Sequence, residues 1–283
     1  MHWDTAGRVF AGGLPAWASA AVPGVQFPWA PDISSFGGRY HLYYALSTFG
    51  GQHSVVGLAT NATLDPKDPQ YKWEDDGAVV ASNAGDTFNA IDPNVAFDAQ
   101  GQPWLAWGSF WGGIKLRRLD AATGKLSTAD TTLYSLAARA GTGATAGPND
   151  AQAVEAPFIV RHGPYFYLFA SYDLCCRGTA STYNVRVGRA AAITGPYADA
   201  AGTALTAGGG TVVLESLGRV RGPGGASVLS DGGRDYLVHH FYDDLASGTP
   251  TLQIRPITWG ADGWPTVGDP VAPPPASAKS PRH

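Results

Sequence analysis

One unit written four times constrains this chain more than any other feature. Its core is a short segment with an acid or a turn at its centre: Trp29-Ala30-Pro31-Asp32-Ile33, then Asn89-Ala90-Ile91-Asp92-Pro93-Asn94, then Val154-Glu155-Ala156-Pro157-Phe158, and in weaker form Arg221-Gly222-Pro223-Gly224-Gly225. Each copy leads into a turn and an aromatic-rich strand, as in Gly37-Gly38-Arg39-Tyr40 to Ser47 and His162-Gly163-Pro164-Tyr165 to Ser171. A period of roughly sixty residues built from strands and turns marks a repeat architecture.

A complete unit divides into four short runs, the first being Ile33–Ser34, Tyr40–Ser47, Ser54–Thr60 and Trp73–Val80. Four strands per repeat read as propeller blades, and the Tyr40/Leu42/Tyr44 against His41/Tyr43 pattern suits strands covered on both faces. A β-sandwich of the same strands would not explain why the acid-bearing motif returns in phase. Residues 1–10 resemble the closing strand of the later units, such as Tyr71 to Val80. The expected fold is therefore all-β, a five-bladed β-propeller whose first blade is incomplete: four complete blades plus a closing strand, with the chain starting inside a unit. The propeller is expected to occupy residues 1–268, with a surface loop from Ala137 to Gln152 and a Pro-rich tail over 269–283.

Composition narrows the partner. The 37 Gly, 21 Pro, 9 Trp and 12 Tyr beside 19 Lys plus Arg describe tight turns and flat rings rather than charged helical faces. A net charge of −4 without a basic cluster argues against nucleic acid, and no apolar run is long enough for a membrane span. The apolar stretch from Phe10 to Ala21 is broken by Gly12, Gly13, Pro15 and Trp17, so it does not read as a signal peptide. The two cysteines are adjacent, Cys175 and Cys176, and are either free thiols or a vicinal disulfide.

In a propeller the first strand of every blade lines the central channel, so Asp32, Asp92 and Glu155 are expected to converge there. Converging carboxylates can hold the staggered protonation states that general acid–base chemistry needs. The competing role for an acid beside a proline is to accept hydrogen bonds from its own turn, and Asp32 is the first candidate for that.

Taken together, Asn89 to Asn94, Gly108-Ser109-Phe110-Trp111-Gly112-Gly113-Ile114-Lys115-Leu116, Glu155-Ala156-Pro157, Cys175-Cys176-Arg177-Gly178 with Ser181-Thr182-Tyr183, and Leu252-Gln253-Ile254-Arg255-Pro256 resemble the arabinanases of glycoside hydrolase family 43. That resemblance implies a five-bladed propeller that hydrolyses arabinan with inversion, using three acids. Glu155 resembles the general acid and Asp92 the partner that orients it and raises its pKa. The base of such enzymes lies in a His-Asp-Pro motif in the first blade, and this sequence contains none. Asp32 matches a Trp-Ala-Pro-Asp segment that those enzymes carry in addition to their base. An inverting site needs about 6.5–9.5 Å between acid and base so that a water fits.

Trp29 and Phe49 are expected to offer apolar faces to furanose rings, with Asn94, Ser109 and Trp111 as further substrate-binding candidates. His240 resembles a channel histidine near a bound ion, usually calcium, and no organic cofactor is implied. The expectation is an extracellular, monomeric, endo-acting α-1,5-L-arabinanase with arabinan as its partner. The alternatives are an exo-acting arabinofuranosidase or xylosidase, and a glycan-binding propeller without catalysis.

Overall fold

The computed structural model describes residues 5–139 and 153–271. Most of the expected 137–152 loop and of the 269–283 tail lies outside the described residues. Within them the chain forms four antiparallel sheets of four strands, each built in chain order from the inside outward. The first sheet is β1 (Trp29–Phe36), β2 (Arg39–Leu46), β3 (Ser54–Asn61) and β4 (Glu74–Ser82). The second is β5 (Asn94–Phe97), β6 (Pro103–Trp107), β7 (Ile114–Arg118) and β8 (Tyr134–Ala137). The third comprises β9 (Val154–His162), β10 (Tyr165–Tyr172), β11 (Asn184–Ala190) and β12 (Thr211–Leu214). The fourth comprises β13 (Val220–Asp231), β14 (Arg234–Asp243), β15 (Thr249–Trp259) and β16 (Pro265–Val267). Contacts between innermost strands run β1 to β5, β5 to β9 and β9 to β13, which gives a four-bladed propeller arrangement.

This corrects the five-bladed expectation. Residues 5–10, read as the closing strand of a first blade, form no strand, and the segment up to Pro28 consists of turns and the single-turn helix α1 (Ala18–Ala21). The cause is competition for apolar side chains. Val9, Phe10, Leu14, Trp17, Ala18, Val22 and Val25 pack on Leu42, Tyr44, Leu46, Val55 and Ala59 of the first sheet. Phe10 meets Tyr44 edge to face, with ring centroids 4.9 Å apart. The Trp17 indole N–H donates to Asp75 at 2.8 Å. Gly12, Gly13 and Pro15 favour turns, and a strand without a partner leaves its backbone unbonded, so the segment caps the sheet instead of extending it.

The core lies between the sheets. Tyr43, Val56 and Leu58 of the first sheet pack on Val95, Leu105 and Trp107 of the second. Trp104, Ile114 and Leu116 meet Ile159, Leu168 and Tyr172 of the third. Tyr167, Phe169 and Val187 meet Ala226, Leu237 and Ile257 of the fourth. The expected two-sided burial is visible at β2, where Tyr43 faces the second sheet and Tyr44 faces the N-terminal cap. Fully buried side chains of this size each contribute about 1.5–3 kcal/mol from surface removed from water, so the sheets cohere through their faces.

Polar bonds fix the angle between neighbouring blades. The Val95 N–H donates to the Asp32 carboxylate at 2.8 Å, the Ile159 N–H to Asn94 Oδ1 at 2.9 Å, and the Gly225 N–H to the Ser171 hydroxyl at 2.9 Å. Each joins one blade to the next at the inner end, where the candidate chemistry also lies.

Candidate active site

The recurring motif gains its meaning from its backbone. The residue before each proline of the repeat has a positive φ: Ala30 at 37°, Asp92 at 56°, Ala156 at 51° and Gly222 at 51°. A residue before proline ordinarily takes an extended conformation, and a left-handed one costs a non-glycine residue about 1–2 kcal/mol. Pairing breaks at the same places, between Trp29 and Asp32 in β1, opposite Phe169 and Ser171 in β9, and between Arg221 and Gly224 in β13. These are β-bulges, which re-aim side chains at the inner end of a blade.

With the prolines as reference, the three acids of the motif are not equivalent. Asp32 follows its proline, Asp92 precedes one, and Glu155 stands two places before another. The expected meeting of all three is therefore corrected. Asp92 and Glu155 line one cavity of about 760 Å³, whereas Asp32 is not among its lining residues. The Asp32 carboxylate accepts from Val95 N–H and lies 3.4 Å from the Asn94 amide. Asn94 is likewise placed away from the cavity, fully buried and bonded to Ile159. Both residues hold blades together.

Burial raises the Asp32 carboxyl to about 6, against the opposing pull of Val95 N–H and Asn94. An acid raised in the folded state contributes stability at low pH that is lost as pH rises from about 4 to about 6. Asp32→Asn imitates the protonated form at every pH. The variant is expected to melt roughly 2–4 °C above the parent at pH 7, with the gap closing by pH 4. Melting curves at the two pH values check this, and a gap of the same size at both would show that the carboxyl titrates normally.

At the cavity floor, the Ser109 hydroxyl donates to Glu155 Oε2 at 2.5 Å, and Ser109 and Glu155 also pair as an isolated β-bridge. The Asp92 carboxylate accepts from the Ala156 N–H at 3.1 Å, so it grips the backbone directly after Glu155. Burial pushes Asp92 well above the ordinary carboxylate range, and the charge of Glu155 adds to it. Glu155 is also raised by burial, opposed by the Ser109 bond. Two carboxyls in one water-poor site cannot both ionise freely, and the pair retains a proton at a pH where exposed acids have lost theirs. A retained carboxylic proton facing a cavity is what general acid catalysis requires.

The loop from Ser109 to Gly113 is held from several sides. Phe110 and Trp111 both have positive φ, at 54° and 42°. The Phe110 N–H donates to the Val154 carbonyl and the Gly112 N–H to the Thr87 carbonyl. The buried Lys115 ammonium donates to the Gly112 carbonyl at 2.8 Å and to the Ser135 hydroxyl at 3.0 Å. Trp111 reaches the cavity from this loop and is otherwise buried. Trp29 lines the cavity too, beside the exposed ring of Phe49. A large apolar ring that is 84% exposed beside buried acids suits a ligand face better than a core.

A model of the family described as glycosyl hydrolases family 43 matches residues 1–265. The chain belongs to that family. An extracellular endo-α-(1→5)-L-arabinanase of Bacillus subtilis is 39% identical over 94% of this chain and 76% of its own length. An extracellular exo-α-(1→5)-L-arabinofuranosidase of Cellvibrio japonicus is 40% identical over 95% of this chain and 78% of its own. Among solved structures, Cellvibrio cellulosa α-L-arabinanase complexed with arabinohexaose superposes with a TM-score of 0.87 at 39% identity, covering 93% of this chain and 84% of that one.

Within this family 43 chain, His240 lines the cavity, half-buried and 5.4 Å between ring centroids from Tyr242. A side chain on Gly225, at φ 59°, would stand 2.9 Å from His240 Nδ1, so the glycine leaves room for the imidazole. Burial lowers the His240 pKa and keeps the ring neutral at neutral pH. Calcium takes six to eight oxygen ligands. Among the described residues no group of three or more His, Cys, Asp or Glu could hold a metal. An ion held beside His240 would therefore take most of its ligands from water oxygens.

The site-residue expectations omitted the wall formed by Leu174, Cys175, Cys176, Arg177 and Tyr183, which also lines the cavity. The adjacent cysteines form a disulfide, which decides between the two readings the sequence left open. The signal was the Cys175-Cys176-Arg177 run itself, visible as a motif but without a chemical role until placed beside the acids.

Proposed function

We propose that this family 43 glycoside hydrolase cleaves α-1,5-linked L-arabinan and that Glu155 protonates the departing glycosidic oxygen. The observation that carries the reading is the pairing of Asp92 and Glu155 in one cavity, both raised by burial, with the Ser109 hydroxyl orienting Glu155. Asp92 acts through its bond to Ala156 N–H and through its proximity, which keeps a proton on the pair. Trp29, Phe49 and Trp111 supply ring faces for uncharged furanose units. Similarity to relatives named for arabinan-cleaving activity supports the substrate class. Relatives named extracellular, together with a disulfide, support action outside the cell.

Linear α-1,5-arabinan incubated with the chain is expected to yield new reducing ends. Viscosity that drops early relative to those ends marks internal cleavage. Release of short products at nearly constant viscosity would favour the exo-acting reading, which the Cellvibrio japonicus relative supports. Saturable binding with no new ends would replace both with a glycan-binding role.

A further inference from the structure

The disulfide has no evident use as a staple. A cross-link stabilises mainly by closing a loop in the unfolded chain, and one between adjacent residues closes almost none. Nor is it core packing, since Cys176 is exposed and Cys175 only half-buried, and both face the cavity. The surrounding loop is built to hold this pair in place. The Tyr242 hydroxyl accepts from the Cys176 N–H at 2.8 Å and lies 3.7 Å from its sulfur. The Leu174 N–H donates to Thr182 Oγ1, while the Thr182 and Tyr183 N–H groups both donate to the Leu174 carbonyl. The Arg177 N–H donates to Ser181 Oγ at 3.0 Å. Cys176 itself is held at φ 65°. Tyr242 also packs edge-on against His240, so the cysteine pair and the cavity histidine share one support.

We propose that the Cys175–Cys176 disulfide is a preformed apolar wall of the glycan site, and that reducing it weakens glycan binding without unfolding the protein. A disulfide between neighbours is a compact, polarisable surface with no polar hydrogen of its own, suited to the C–H face of a sugar ring. The bond also restricts the side chains and backbone of both residues before the ligand arrives, so binding does not have to order them. The reduction is thiol–disulfide exchange. The two thiols of a small dithiol supply two electrons and two protons, the S–S bond breaks into two cysteine thiols, and the dithiol closes into its own disulfide.

This inference rests on the arabinan reading, so its test separates the two. In the Glu155→Gln background, where the ligand is not consumed, calorimetry measures the affinity for arabinopentaose before and after reduction by a dithiol, with thiol titration and melting curves as controls. Reduction is expected to weaken binding about tenfold, as loss of preorganisation in two side chains predicts, with a melting temperature close to the oxidised value. Reoxidation is expected to restore the affinity. Cys175→Ala with Cys176→Ala should match the reduced protein, and Tyr242→Phe, which keeps the disulfide, should lose less. Unchanged affinity in folded protein with both thiols titratable overturns the proposal and leaves the arabinan reading intact. An oxidised protein that binds no arabinopentaose overturns both.

Discussion

Glu155→Gln is expected to lower turnover of unactivated arabinan by about 10²–10⁴-fold, the usual worth of a positioned general acid. The amide keeps the shape of the side chain and can still bond to Ser109, but it has no proton to give a departing sugar oxygen. On the proposed reading the rings of Trp29, Phe49 and Trp111 carry binding, so arabino-oligosaccharide affinity should change by no more than a few-fold. An aryl leaving group needs little protonation, and an aryl arabino-oligosaccharide should therefore be cleaved by the variant at nearly the parent rate. Steady-state kinetics on the two substrates check the assignment. Equal losses on both, or no loss on either, would remove Glu155 from the role of acid.

An added small anion is expected to accelerate the parent protein on the same aryl substrate by about 10²-fold, at the lower end of what a general base contributes. The carboxylates lining the cavity among the described residues are Asp92 and Glu155, and burial holds both towards their protonated forms. Asp32, the remaining acid of the motif, is committed to Val95 and Asn94. Among the described residues, water at the anomeric carbon therefore meets no carboxylate outside the Asp92–Glu155 pair to take its proton. Azide needs none, and attack opposite the leaving group should give a glycosyl azide of inverted configuration. Rate against azide concentration, with product stereochemistry by NMR, decides the matter. No acceleration would mean that one of the pair ionises and already serves as base.

Much of this site could be read along the chain, and the misreadings share a cause. That Asp92, Glu155 and Trp29 would stand at one cavity was legible because the motif repeats, and repetition reports which strands share an axis; Ser109 and Trp111, which line it too, were legible only through the family resemblance. The direction of a side chain was not legible. Asp32 looks like its neighbours in the alphabet of the motif, yet a bulge beside it decides between the cavity and the seam between blades, and the left-handed φ at that bulge leaves no mark on a proline-containing string. The N-terminal segment was misread for a related reason. Val9 and Phe10 carry the composition of a closing strand, but composition does not say whether a partner strand stands beside them. Tyr44 and its neighbours in the first sheet took those side chains instead.

The left-handed residues before the four prolines also act as four sockets with different fittings. In the second blade the socket holds Asp92, in the first and third it holds only the methyls of Ala30 and Ala156, and all three face the cavity. In the fourth it holds Gly222, where any side chain would begin 2.5 Å from the Ser181 Cβ. Three sockets are therefore open to new chemistry and one is sealed by its neighbour. A substitution at position 30, 92 or 156 therefore changes the lining of the cavity from a place outside the packed faces of the sheets.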